Sequence, residues 1–459
     1  MYQIDFHTPV HLHFMGIGGI SMSGLAEILL KEGFTISGSD SVSSPLTDHL
    51  KALGASVVIG QKAENIRAEI DAVVYTAAIH PDNPEYAAAE AAGIPMITRA
   101  ELLGQIMRNY PTAIAVAGTH GKTTTTSMLS TILLAAHKDP TVTVGGILPE
   151  IGGNIRVGHS DTFLTEACEY TNSYLSFFPT VSVILNIEED HMDFFHDIGE
   201  IRGSFHRFAM LLPDDGLLVL NGEIQDPGEI TEGLKARVVT YGLTGAEDYT
   251  AASIRYDQKG CASFLLKCRG GDMGEVSLHV PGLHNVSNAL AAMAVALEQK
   301  LPFPEVAKGI ADFHGTDRRF QYKGQWEGVT VIDDYAHHPT EIRATLGTAK
   351  NYPHRELWCV FQPHTYTRTQ AFLKDFADAL SLADHVVLAD IYAAREVNTI
   401  GISSLDLLKE LQKLGTDCAY FPTFEEIEKF LSKKCMHGDL LITMGAGDVL
   451  KIGENLLSR

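Results

Sequence analysis

The run Ala113-Ile-Ala-Val-Ala-Gly118-Thr119-His120-Gly121-Lys122-Thr123-Thr124 carries an apolar strand through Gly-x-x-Gly-Lys-Thr into a Thr-rich helix start. Glycines let backbone N–H groups wrap a phosphate, and the helix N-terminus adds partial positive charge. In this reading Lys122 reaches the β- and γ-phosphates of a nucleotide, and the Thr123 hydroxyl holds Mg²⁺. Only two residues separate the glycines, so the loop is shorter than the common phosphate loop. The plainer alternative is a Gly-containing turn with a chance lysine. The register of strand, loop and helix favours phosphate. A second turn, Met15-Gly16-Ile17-Gly18-Gly19-Ile20-Ser21, also leaves a strand and opens a helix, and the next strand ends Gly38-Ser39-Asp40. An acid there suits a ribose. Ser at position 21 breaks the dinucleotide fingerprint, so the diphosphate of another nucleotide fits as well. One chain thus holds two anion cradles, which suits a protein that brings a nucleotide-linked substrate to ATP.

Other polar groups gather at strand ends. Thr162-Phe-Leu-Thr-Glu166 is a strand closing on an acid, where nucleotide enzymes place a Mg²⁺ carboxylate. Asn186-Ile-Glu188-Glu189-Asp190-His191-Met-Asp193 follows another strand, and His191 with Asp190 and Asp193 could face the same metal. Histidine is unusual on Mg²⁺, so Mn²⁺ or a place beside the phosphate is an alternative. His284 and Asn288 stand at i, i+4 on one helix face. They suit an adenine platform, although capping and loop contacts are the simpler expectation. Arg318-Arg319 is a basic pair suited to clamping phosphate across a cleft. Asp334 and His337 follow one strand and Arg368 follows the next, where together they would hold a zwitterion, its amine on Asp334 and its carboxylate on Arg368.

These groups need parallel sheets behind them. Short apolar runs ending in Gly, Ser or Asp alternate with amphipathic stretches, the pattern of βαβ units. The reading is α/β in three domains: a Rossmann-like domain over 1–109, a phosphate-loop ATPase-type domain over 110–321 with an added β-rich region from about Tyr249 to Val280, and a second Rossmann-like domain over 322–459.

A chain of 459 residues with 45% hydrophobic and 20% charged residues is an ordinary globular composition. A net charge of −22 argues against nucleic acid or an anionic membrane as the main partner. The six cysteines are scattered, with no zinc spacing, and no signal-peptide pattern or apolar run of membrane length appears. A cytoplasmic protein, monomer or homodimer, acting on small molecules is expected.

In their order and spacing, Gly16-Ile-Gly-Gly-Ile-Ser-Met-Ser-Gly24, Gly118-Thr-His-Gly-Lys-Thr123, Asp190-His-Met-Asp193, His284-Asn-Val-Ser-Asn288, Arg318-Arg-Phe320, Asp333-Asp-Tyr-Ala-His-His-Pro-Thr-Glu341 and Phe361-Gln-Pro-His364 resemble the Mur ligases across the whole chain. The likeness is strongest to members that attach L-alanine to UDP-N-acetylmuramate. It implies ATP-dependent amide formation through an acyl phosphate in peptidoglycan synthesis. By position, the resemblance makes Lys122 the phosphate lysine within an ATP loop of residues 118–124. Thr123, Glu166 and His191 become the magnesium site, and His284 and Asn288 the adenine site. Arg319, Asp334, His337 and Arg368 become closure and substrate groups. Asn154 joins Gly16, Gly18, Gly19, Ser39 and Asp40 at the UDP-linked substrate. Cys168 and Asn172 stand where the family often has acids, and Thr365 where some members have Arg. Residues 139–234 contain no lysine, so the carbamylated lysine of many relatives is not expected. Three other readings remain: a recycling ligase that adds a preformed peptide, an NAD-dependent oxidoreductase, and a non-catalytic nucleotide-binding regulator.

Overall fold

In the computed structural model, which describes residues 2–76, 78–394 and 396–459, the apolar runs pair into three sheets. The first has five parallel strands in the order Ser56–Ile59, Thr35–Asp40, His11–Met15, Ala72–Tyr75, Met96–Thr98. Its helices are locally well specified. Pro84–Ala92 starts on an Asn83 cap with proline at its first position and stops at Gly93, φ +67°. Arg99–Met107 starts on a Thr98–Glu101 capping box.

The second sheet has ten strands. At its centre Thr112–Ala117 lies between Thr162–Ala167 and Val181–Ile184, all parallel. The loop that follows Thr112–Ala117 therefore opens at the carboxyl edge of the sheet, where such folds bind ligands. The β-rich region becomes Tyr249–Tyr256, Cys261–Cys268 and Gly271–Pro281, antiparallel to one another and continuing the same sheet. Helices Leu283–Glu298 and Phe303–Asp312 follow. The third sheet runs Gln321–Trp326, Val329–Asp334, Leu440–Met444, Leu357–Phe361, His385–Leu388, Asp417–Tyr420, with the first strand antiparallel and the rest parallel. Three strands fall outside the sequence expectation: Arg237–Gly242, inside the second sheet, and the two edge strands Gly153–Arg156 and Gln321–Trp326. The two edge strands are polar and lack the apolar run that marks a strand.

The cores are not divided equally. One continuous apolar cluster joins the first domain, through Phe14, Leu25 and Ile106, to one face of the central sheet, through Phe163, Tyr174 and Phe205. Two glycines permit that close approach. A Cβ at Gly24 would stand 1.2 Å from Ile155 Cδ1, and one at Gly104 would stand 1.9 Å from the Ser176 carbonyl oxygen. The third domain keeps separate clusters on the two faces of its own sheet. Among the described residues no helix is long and apolar enough to cross a membrane.

Candidate active site

The loop after Thr112–Ala117 reaches the helix Lys122–Ala135 through two left-handed glycines, Gly118 at φ +148° and Gly121 at φ +84°. A side chain at Gly121 would collide with Asn288 Oδ1, 2.6 Å from the Cβ position, so the loop lies directly against the helix that carries His284 and Asn288. Asn186 pins the loop from the other side: His120 N–H donates to its Oδ1 at 2.7 Å, and its amide donates to the His120 carbonyl at 3.0 Å.

Lys122 Nζ donates to the carbonyls of Gly118 and Thr119 and lies 3.0 Å from Glu169 Oε2. Burial opposes its charge, but Glu169 outweighs burial and pushes its pKa up to about 12. It is a fixed cation at any physiological pH. Thr123 Oγ1 donates to Glu166 Oε2 at 3.1 Å, while the other Glu166 oxygen accepts from Gly145 N–H. Glu169 also faces His191, whose Nε2 is 3.6 Å from Oε1. His191 stacks on Tyr170 at 4.6 Å, and burial lowers its pKa, leaving a neutral imidazole able to ligate. Asp190 turns its Oδ1 to Arg368 while its Oδ2 stays 3.8 Å from His191 Nε2, and Asp193 accepts from the Tyr170 hydroxyl at 2.8 Å.

The linker brings the third domain to this loop. Arg319 Nη2 donates to Thr123 Oγ1 at 3.4 Å. Arg318, in the left-handed region at φ +62°, is tied to the third domain through Asp333 Oδ2 at 3.1 Å and the Gly445 carbonyl at 2.6 Å. Asp334 is 6% exposed, and burial raises its pKa to about 6. Its two oxygens accept from Phe320 N–H and Ala336 N–H, at 2.8 and 2.7 Å. The expected amine ligand therefore fastens the linker to the strand end. His337 donates from Nδ1 to the Tyr335 carbonyl at 3.1 Å, and its backbone N–H donates to Glu341. Arg368 directs Nε and Nη2 to Asp190 Oδ1, at 3.1 and 2.6 Å, so any hold on a substrate carboxylate competes with an interdomain ion pair. Three more contacts cross the same boundary: Thr340 to Glu188, His338 Nε2 to the Glu189 carbonyl, and His120 Nδ1 to Glu341.

In the first domain the expected nucleotide groups are partly turned inward. Ser39 is fully buried and its hydroxyl donates to Glu85, itself buried. Only the Ser39 carbonyl meets the turn, accepting from Gly16 and Ile17. Asp40 Oδ2 accepts from Gly18 N–H at 2.8 Å, so this acid closes the Gly-rich turn where a ribose contact was expected. Gly19 opens the helix Ile20–Lys31 without a side-chain cap. Asn154 reaches the Ile20 carbonyl from the central domain. Of the simpler expectation for His284 and Asn288, capping does not occur, since the helix Leu283–Glu298 has no side-chain cap, while loop contact does: Asn288 lies against Gly121 and donates to Asn285, and His284 is exposed.

One cavity of about 830 Å³ is lined by Ile20 of the first domain, by Asn154, Lys122, Glu166 and His191 of the central domain, and by Asp334 and His337 of the third, whereas Gly16, Gly18, Gly19, Ser39, Asp40 and Arg368 do not line it. Asn186, Glu169 and Glu341 were not singled out from the sequence as site residues. Their one signal is position just beyond a strand or at a helix start.

Three family models match the chain in order: the Mur ligase family catalytic domain over residues 11–111, the Mur ligase middle domain over 116–296, and the Mur ligase glutamate ligase domain over 318–447. The UDP-N-acetylmuramate–L-alanine ligase of Agathobacter rectalis is 62% identical over 459 residues, the full length of both chains. The crystal structure of UDP-N-acetylmuramate-alanine ligase MurC from Thermotoga maritima superposes with a TM-score of 0.81 at 29% identity, covering 98% of each chain. A murein peptide ligase from Psychrobacter arcticus shares the fold, with a TM-score of 0.72 at 24% identity over 98% of each chain.

Proposed function

The chain belongs to the Mur ligase family, and from that premise we propose that it joins L-alanine to the carboxylate of UDP-N-acetylmuramate, driven by ATP, in peptidoglycan synthesis. It is an ATP-dependent amide-bond-forming ligase. The observation that carries the reading is the single cavity lined by all three domains, which suits three substrates that must meet.

A carboxylate is a poor electrophile, so it is activated first. The γ-phosphoryl of ATP transfers to the muramyl carboxylate, giving an acyl phosphate. The amine of L-alanine attacks the carbonyl, and phosphate leaves. Lys122 neutralises charge that develops on the transferring group, with its ammonium exchanging loop carbonyls and Glu169 for phosphate oxygens. Arg319 adds a second cation from the linker, delivered only when the third domain is docked. Asn288, beside Gly121, and His284, one turn earlier on the same helix, are the proposed adenine contacts.

The donor set suits a hard divalent cation. The Thr123 hydroxyl and Glu166 carboxylate already meet at 3.1 Å, and His191 is held neutral nearby. Mg²⁺, or Mn²⁺, bound by Thr123, Glu166 and His191 would supply charge neutralisation to the phosphates. The UDP portion is assigned to the turn Gly16–Gly19 with Asn154, and Asp40 shapes that turn through Gly18.

The alanine amine must lose a proton. Both Asp334 oxygens already accept backbone N–H groups, which favours His337 as the group that takes it. Arg368 is the proposed carboxylate ligand, released from Asp190 by the amino acid. The oxidoreductase alternative loses its main support, because Asp40 is committed to Gly18. ADP release with UDP-N-acetylmuramate, measured across L-alanine, glycine, L-serine and a preformed tripeptide, tests the assignment. L-alanine should give the highest kcat/KM; preference for the tripeptide would make the chain a recycling ligase.

A further inference from the structure

Arg99 is the first residue of helix Arg99–Met107, directly after the last strand of the N-terminal sheet, and so sits at the carboxyl edge of that sheet. It is half-buried, and its Nη1 donates to Ser21 Oγ at 3.2 Å, just beyond the Gly16–Gly19 turn. Among the described residues no carboxylate lies within ion-pair distance of it, and Ser21 is its one hydrogen-bond acceptor. Three other half-buried arginines are neutralised, Arg318 by Asp333, Arg368 by Asp190 and Arg202 by Glu229, whereas Arg319, which like Arg99 has no carboxylate partner among the described residues, faces the phosphate loop at Thr123. The side chain that its charge meets from the central domain is Cys168. As a thiol it is ordinarily uncharged near pH 7 and is no substitute for a carboxylate.

A guanidinium withdrawn from water without an anion is costly, and burial lowers the pKa of Arg99 accordingly. Its four remaining N–H donors form a planar fork suited to phosphate. The nearest ligand chemistry is that of the Gly-rich turn, where the helix Ile20–Lys31 presents uncapped N–H groups.

We propose that Arg99 binds the diphosphate of the uridine nucleotide substrate, as the cationic wall of a cradle whose floor is the Gly16–Gly19 turn. The assignment rests on the reading of that substrate as a UDP-sugar. A second anion of the same substrate, the muramyl carboxylate, is the competing ligand, and the test separates the two.

Dissociation constants for UDP, UDP-N-acetylglucosamine and UDP-N-acetylmuramate are measured by calorimetry on the full chain and on Arg99→Gln and Arg99→Lys. All three ligands carry the diphosphate, and only the last carries the carboxylate. Arg99→Gln should weaken all three alike, by roughly 10- to 100-fold, the worth of a charge-assisted contact. Arg99→Lys should recover part of the loss, and affinity for a non-hydrolysable ATP analogue should not change, which certifies the fold. Loss confined to UDP-N-acetylmuramate would assign Arg99 to the carboxylate and overturn the proposal. Unchanged affinity for all three would overturn it too. If the unmodified protein binds no uridine nucleotide, the substrate reading fails instead.

Discussion

Arg368 and Asp190 join the third domain to the central one. Two guanidinium nitrogens converge on Asp190 Oδ1, with Arg368 10% and Asp190 8% exposed at the side chain. Burial works against the carboxylate's charge, but Arg368, His191 and His337 hold its pKa well below the usual range. Asp190 also immediately precedes His191, so the contact that docks the third domain is one peptide bond from the proposed metal site.

Removing one partner should open the interface. Asp190→Ala leaves Arg368 without its counter-ion, and breaking such a pair costs about 3–5 kcal/mol. The expected outcome is a larger radius of gyration in X-ray scattering and a sharp fall in kcat, with ATP-analogue affinity nearly retained. Scattering identical to that of the unmodified protein would remove this pair from the account of closure.

Lys122→Ala should abolish L-alanine-dependent ADP release while leaving the circular dichroism spectrum unchanged, with a lower melting temperature because the buried Glu169 loses its counter-ion. Loss of one such transition-state contact costs roughly 10²–10³-fold or more in kcat. Turnover like that of the unmodified protein would rule out the phosphate-loop assignment.

His120 makes the docked arrangement pH-dependent. Burial alone would lower its pKa, but Glu188 and Glu341 outweigh it and raise it to about 9. The third group facing it, His338, is lowered to about 4 and is neutral near pH 7. A raised histidine stabilises fully below its ordinary value near 6.5, and that contribution is lost as pH rises through about 9. Scattering of the ATP-analogue complex should therefore show opening between pH 7.5 and 9.5. Glu341→Gln should flatten the transition; an equally steep one would exclude this cluster as its origin.

Gly24 should tolerate no side chain while Ile155 stays in place. Gly24→Ala is expected to cost about 1–3 kcal/mol by overpacking and to raise KM for UDP-N-acetylmuramate through displacement of Asn154. Ile155→Ala in the same chain should restore both. If it restores neither, the two side chains do not meet in solution.

Much of this architecture is legible in the sequence because it follows from local chemistry. Apolar runs closing on Gly, Ser or Asp mark most parallel strands, and the loop from Gly118 to Lys122 marks a phosphate cradle. What escapes is set by distance in space. Ser39 looks like a ligand from its place at a strand end, and only the fold shows Glu85 turning it inward. Glu169 and Lys122 are 47 positions apart and meet because their strands are neighbours. Arg99 belongs to no motif, and its interest lies in having no carboxylate partner among the described residues, which no spacing rule detects.

The uneven division of the cores has a consequence for how the chain comes apart. The first domain and one face of the central sheet share an apolar cluster, while the main contacts described here between the central and third domains are hydrogen bonds and ion pairs. On heating, the polar seam should part first, and the first two domains should melt as one cooperative unit. Calorimetry would then resolve two transitions in a chain of three domains, and a limited protease would release the C-terminal third with the rest intact.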